Sequence, residues 1–306
     1  MPSTAEASWT LIKRVSNAWL DDYVPSMGAA LAYYTMFSLA PLLLIVISVA
    51  GLVFGQDAAR GEIATELRAM MGEAGAKAVQ DLLASVQKPA EGAAATALGV
   101  VLLLIGATTV FGELQDSLDR IWHVPTRKRS SGLIELLRTR LLSFGMILAI
   151  GFLLIVSLVV SAGLATVARL WGPAFGGWYA VAAVTDALGG FFLVAVMFAL
   201  IYKTMPRVRV HWKDVWIGAV FTAVLFMVGK TLIGLYIGTS GVVTGFGAAG
   251  SLVVVLVWVY YSAQIFLIGA EFTWVYANDF GSRKSLNDKQ LAEDLAREMQ
   301  SDPRQS

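Results

Sequence analysis

Four residues in the stretch FGELQDSLDRIWHVP (111–125) have types and spacing that chemistry uses. Glu113, Asp116, Asp119 and His123 are spaced 3, 3 and 4 apart, so a helix would carry them on one face. Carboxylates and an imidazole together are donors that divalent metals use, and a metal-dependent hydrolase at the membrane surface is the chemistry such a face would support. Arg120, Arg127, Lys128 and Arg129 stand beside the cluster. Ion pairing with them is the commoner use of such a pattern. The sequence reading is an acidic cluster, with no catalytic residue, metal or cofactor assigned.

A second group is ionisable residues inside apolar runs. Lys230 lies in LFMVGKTLIGLY (225–236) and Asp186 in AVTDALGG (183–190). A charge near the bilayer centre costs about 2.5–3.5 kcal/mol or more, so such residues are expected to face inward, to pair, and to mark substrate or ion pathways. By helical rise each lies about 12 Å below the outer end of its span. Glu271 lies about 36 Å along its own span, at the cytoplasmic interface. The depths therefore pair Lys230 with Asp186 and set Glu271 apart. Tyr33, Tyr34, Thr35 and Ser38 precede Pro41. A proline-kinked helix with hydroxyls on one half would line a cavity, and interhelical packing is the alternative. Gln264 is a further polar residue in an apolar run. The pathway candidates are Lys230, Asp186, Tyr33, Tyr34, Pro41 and Gln264.

The elements that must position these groups are membrane helices. Of 306 residues, 57% are hydrophobic and 15% charged, and mean hydropathy is +0.68. A soluble domain carries roughly 25% charged residues. Six apolar runs, at about 28–54, 94–112, 141–171, 178–202, 214–238 and 247–277, are long enough to cross the hydrocarbon core. They must be helices, because lipid supplies no partners for open strands. The expected fold is all-α: a polytopic membrane protein with six transmembrane helices.

Lys and Arg count 2 in the N-terminal segment, 6 in 113–140, 4 in 203–213 and 5 in the C-terminal tail. They count 4 in 55–93, 1 in 169–177 and none in 239–246. The positive-inside rule then sets both termini in the cytoplasm. Residues 1–26 form an interfacial segment in which Trp9, Ile12, Val15, Trp19 and Leu20 accompany Lys13 and Arg14. They hold no continuous apolar signal region, so the first span is expected to direct insertion. Residues 27–278 form the transmembrane domain, and 279–306 a polar cytoplasmic tail.

The external loop 55–93 has apolar residues at Ile63, Leu67, Met71, Ala74, Ala78, Leu82 and Val86. That spacing predicts one or two amphipathic helices, as a lid or lying on the membrane. The glycine-rich 238–252 segment is read as a tight hairpin, with an unwound end of the last span as the alternative. The i, i+4 pairs Gly145/Ala149, Ser157/Ser161, Ala195/Ala199 and Gly234/Gly238 are read as helix-packing positions.

Composition also excludes. There is no cysteine, hence no disulfide, thiolate metal site or thiol nucleophile. Net charge is +1, giving no sign of a polyanionic partner. No G-x-x-x-x-G-K-[ST] loop occurs, so any transport would be passive, ion-coupled or driven by a partner.

Four segments carry a resemblance to a known family: GAALAYYTMFSLAPLLL (28–44), FGELQDSLDRIWHV (111–124), IYKTMPRVRVHWKDVWIGA (201–219) and FGAAGSLVVVLVWVYYSAQIFLIGAEFTWVY (246–276). In order and spacing the chain resembles the YihY/BrkB family of bacterial inner-membrane proteins over about residues 10–280. The resemblance implies six helices and residence in the inner membrane. Some members bear the label ribonuclease BN. This chain has two histidines, His123 and His211, no H-x-H-x-D-H cluster and no basic groove with stacking aromatics. No nucleic-acid partner is expected, and the chain is not read as an enzyme.

The resemblance also implies transport of lipids or other envelope substrates. With the intramembrane charges, this gives the expected function: a transporter or flippase-like protein for a lipid or other envelope substrate, without nucleotide hydrolysis. Its partners would be membrane lipids and a lipid-like or amphiphilic substrate. A non-catalytic scaffold for envelope integrity and a metal-dependent membrane hydrolase are the alternatives.

Overall fold

The computed structural model describes residues 4–86, 109–124, 178–240, 245–246 and 249–284, some by backbone alone. Among the described residues every element is helical and no strand occurs. The helices are α1 (Thr4–Asp21), α2 (Val24–Phe54), α3 (Gln56–Val86), α4 (109–121), α5 (Trp178–Thr204), α6 (Trp212–Thr239) and α7 (Gly250–Asp279). Among the described residues three stretches are long and apolar enough to cross a membrane: Ala187–Thr204 of α5, Trp212–Thr239 and Gly250–Asp279. The charge-free α2 coincides with the first expected span. The expected span 141–171, all but the last residues of 94–112, and the tail beyond 284 lie outside the described residues.

Local chemistry sets the breaks. Pro25 stands in the first turn of α2, where it needs no N–H partner, and it cannot continue α1. Tyr23 makes the corner with left-handed backbone angles, φ 57° and ψ 38°. Within α3, Gly72 at φ 74° divides the helix into two arms, where the apolar spacing of 55–93 predicted one or two helices. Met71, Ala78, Val79 and Leu83 of α3 are buried against Ile47, Ile233, Ile237, Val254, Val255 and Val259. The arms therefore pack onto one end of the bundle, between α2, α6 and α7.

The other end is built on close helix contacts. α6 and α7 run antiparallel, and Gly218 lies against Thr273, Gly229 against Ile265 and Gly269 against Thr222. A Cβ at any of these glycines would collide with the facing side chain, so the helices approach this closely only because it is absent. Gly28 of α2 meets Gln264 in the same way. The spacing-based choice of close-contact residues is partly corrected: Ala195 and Ala199 are buried, but Gly234 and Gly238 face open space. The hydroxyl of fully buried Tyr202 joins three helices, donating to Phe266 O at 2.7 Å and lying 3.0 Å from Thr222 Oγ1.

α1 packs through Val15 and Trp19, while Trp9, Ile12 and Leu20 stay exposed, as an interfacial helix requires.

Candidate functional site

The four-residue acidic face divides in the structure. α4 ends at Ile121 in a left-handed cap: His123 has φ 49°, His123 N donates to Arg120 O and Val124 N to Asp119 O. This pair of bonds is the Schellman closure, with Pro125 just beyond it. His123 therefore turns off the face that holds the carboxylates. Asp119 receives Arg207 N and Arg207 Nη1, each at 2.8 Å, and Asp116 lies 3.9 Å from the same guanidinium. Gln115 donates to Met205 O, so α4 clamps the loop between α5 and α6. Burial raises the Asp119 carboxyl above the usual range although Arg207 opposes the shift. Glu113, half-buried, is also raised, first by burial and then by Asp116. Among the described residues no three His, Asp or Glu side chains converge as a metal site.

The pathway candidates are dispersed. Tyr33 points off the bundle at 55% exposure, edge-on to Tyr34 and Phe37. α2 stays helical through Pro41, whose side chain lies outside the described residues. The side chain of Asp186 also lies outside them, and with it the Lys230–Asp186 contact. Lys230 is half-buried. The α6–α7 register sets it level with about residues 262–264, roughly 12 Å along the axis from Glu271. Gln264 is a strut: Oε1 accepts from Trp19 Nε1 at 3.2 Å, and Nε2 donates to Val24 O at 3.4 Å.

Two turns along α7 from that strut is Glu271, on the same face. It has no exposed surface, and neither carboxyl oxygen receives a hydrogen bond from the described residues. Its neighbour is Asp22, in the corner between α1 and α2, close enough for the two carboxyls to act on each other electrostatically. Asp22 Oδ2 is buried without a donor as well. Asp22 Oδ1 lies 3.6 Å from His123 Nε2, within ion-pair range but too long for a hydrogen bond.

His123 is held from both sides. Its Nδ1 is 3.0 Å from Ile121 O, and its ring lies on Trp274 with centroids 4.9 Å apart. A carbonyl only accepts, so Nδ1 carries the hydrogen and Nε2 is left to face Asp22. Side-chain exposure falls along the row: 57% at His123, 13% at Asp22, none at Glu271. Burial is the main cause that pushes the Asp22 carboxyl up; His123 and Arg120 oppose it and Asp21 adds to it. Two ionised carboxylates facing each other without a donor are strongly unfavourable, so a proton is a species this arrangement can bind.

Sequence reasoning missed this site. Asp22 was one of two adjacent acids in an interfacial segment, and Glu271 was assigned to the interface. The available signal was Glu271 in LIGAEFTWVY, an acid with four apolar or small residues directly before it and aromatics after.

A UPF0761 membrane protein of Pseudomonas aeruginosa is 30% identical over 84% of this chain. The chain spans 60% of that relative's length. A UPF0761 membrane protein of Vibrio vulnificus is 25% identical over 97% of this chain and 95% of its own. One of Pseudoalteromonas translucida is 27% identical over 84% and 82%. No solved structure matches. Residues 15–293, with Asp22, His123 and Glu271 inside them, match the family described as virulence factor BrkB, and the chain belongs to that family of membrane proteins.

Proposed function

We propose that this membrane protein moves a lipid-like or other amphiphilic envelope substrate across the bacterial inner membrane, without hydrolysing nucleotide and without altering the substrate covalently. Glu271 carries the reading: an acid with no exposed surface and no hydrogen-bond donor among the described residues, on a helix apolar enough to cross a membrane. Such a group costs stability, and its use is to handle an ion or a substrate. A scaffold gains nothing from it, since an apolar residue there would pack at no electrostatic cost.

The test uses purified full-length protein in vesicles of phosphatidylethanolamine and phosphatidylglycerol with NBD-labelled phosphatidylglycerol. Dithionite reaches only the outer leaflet. The wild type should let it bleach label from both leaflets, and Glu271→Gln should slow that loss. Bleaching that stops at the outer-leaflet share, for this label and for NBD-phosphatidylethanolamine, sinks the reading.

A further inference from the structure

We propose that Asp22 and Glu271 form a proton-binding pair filled from solvent through His123, and that the bound proton is the ion coupled to transport. The coupling role rests on the transport reading above; the proton site itself does not.

Three observations converge. First, Glu271 is fully buried with both oxygens free of donors, and Asp22 Oδ2 shares that condition. A carboxylate left so in a water-poor site is far costlier than a carboxylic acid. Among the described residues, the charged and titratable groups around the pair are Asp21 at the end of α1, Arg120 on α4 and His123 just past the end of α4. None donates to the unpartnered oxygens, so a proton is the species that relieves them.

Second, His123 stands between solvent and Asp22 with the correct nitrogen forward. With Nδ1–H committed to Ile121 O, neutral His123 presents a lone pair at Nε2. Protonated, it presents N–H to Asp22 Oδ1 at 3.6 Å, a gap that a shift of about half an ångström closes to hydrogen-bond length. The step is balanced. Hydronium in the solvent gives a proton to Nε2 and leaves as water; the Nε2–H bond then breaks as an O–H bond forms on Asp22. After the carboxyl turns, that O–H proton passes to a Glu271 oxygen, and His123 is neutral again.

Third, Tyr23 and His123 are the two non-glycine residues with positive φ among the described residues, and they flank this row. Left-handed backbone costs an L residue roughly 1–2 kcal/mol. Here it directs the Asp22 turn and the imidazole toward α7. Strain of this kind concentrates where geometry is functional.

The experiment reads the proton directly. Infrared difference spectra of the purified full-length protein in nanodiscs, without substrate, are followed after a pH jump. The wild type should show the C=O stretch of a buried protonated carboxyl at neutral pH. Glu271→Gln and Asp22→Asn, each near-isosteric, should each remove it, with elution profile and helical circular dichroism unchanged. His123→Ala should keep the band at equilibrium but slow its appearance by about 10²-fold, the low end of what a positioned acid–base group contributes. An absent band, a band that survives both Glu271→Gln and Asp22→Asn, or an unchanged rate in His123→Ala overturns the proposal whatever the vesicle assay gives. If the spectra hold, an inward proton gradient should change the rate of NBD-lipid movement in wild type and not in Glu271→Gln. Movement of label that ignores the gradient overturns the coupling.

Discussion

Raising the pH should destabilise the wild-type protein, and Glu271→Gln should remove most of that dependence. Asp22 fixes the sign. Its ordinary value is 3.8 and its folded value is raised, mainly by burial, so the folded state holds this proton more tightly than the unfolded chain does. Stability from the group is fully present below 3.8 and is lost as pH rises through the folded value. The size follows from Coulomb's law. When the last shared proton leaves, two unit charges face each other, and such a pair at a separation of about 4 Å and an effective dielectric of about 20 costs about 4 kcal/mol. At roughly 2–4 °C per kcal/mol, the thermal midpoint should fall by about 8–16 °C between acid and alkaline limits. His123 in its cationic form offsets part of this, and as neutral imidazole it does not.

Nine tryptophans make intrinsic fluorescence a convenient readout in detergent. In Glu271→Gln the amide supplies Asp22 with the donor it lacks, so the profile should flatten and the alkaline midpoint should rise above wild type. Other carboxyls contribute a background slope, and the difference between the two proteins isolates the pair. If wild type and Glu271→Gln fall in parallel, the shared-proton description of Asp22 and Glu271 is wrong.

Further expectations rest on separate parts of the fold. Arg207→Ala removes the guanidinium from an Asp119 side chain that is only 10% exposed and leaves it the backbone N–H alone, so it should cost about 2 kcal/mol and exceed the cost of Asp119→Asn; equal losses in denaturant titrations would contradict the clamp. Gly269→Leu should abolish folding or cost several kcal/mol through collision with Thr222 and Tyr202, whereas Gly234→Leu, in open space, should stay within about 0.5 kcal/mol, both read as detergent-resistant folded yield. Tyr202→Phe leaves Thr222 its bond to Gly218 O and should cost only about 0.6–1.7 kcal/mol by thermal midpoint. Tyr23→Gly should stabilise by up to about 1 kcal/mol, because the exposed ring contributes little and glycine relieves the left-handed backbone cost that Tyr23 bears; an unchanged or lowered midpoint would remove the strain argument.

Long elements were legible because one property dominates each. α2, α5, α6 and α7 begin and end within a few residues of the apolar runs that announced them. The two-armed α3 was legible from its apolar stripe. Contacts between elements were not. Small residues at i, i+4 suggested close packing at Gly234 and Gly238, but spacing on one helix does not say which side its neighbour occupies. The register of α6 on α7 selected Gly218, Gly229 and Gly269 instead. The acidic face of α4 failed for a local reason. Period 3.6 was extended through His123, although Pro125 marked a coming stop, and the helix closed two residues earlier.

The Asp22–Glu271 pair was hidden by the arithmetic that treats each span alone. Depth along one helix places Glu271 near the membrane surface, where an acid would ordinarily reach water. What removes the water is α1. Pro25 and Tyr23 fold that helix back across the end of α7, Arg14 pins it to Asp279 at 2.6 Å, and Trp19 bonds Gln264. Burial of Glu271 is thus imposed by a segment outside the spans, through contacts about 250 residues apart in sequence. The same contacts give α1 leverage over the pair. Arg14 is half-exposed at this joint, so releasing α1 would wet Glu271 and let the pair discharge its proton. Arg14→Ala should accordingly weaken the pH dependence of the midpoint in the same direction as Glu271→Gln, by a smaller amount, while leaving the Tyr202 knot between α5, α6 and α7 intact.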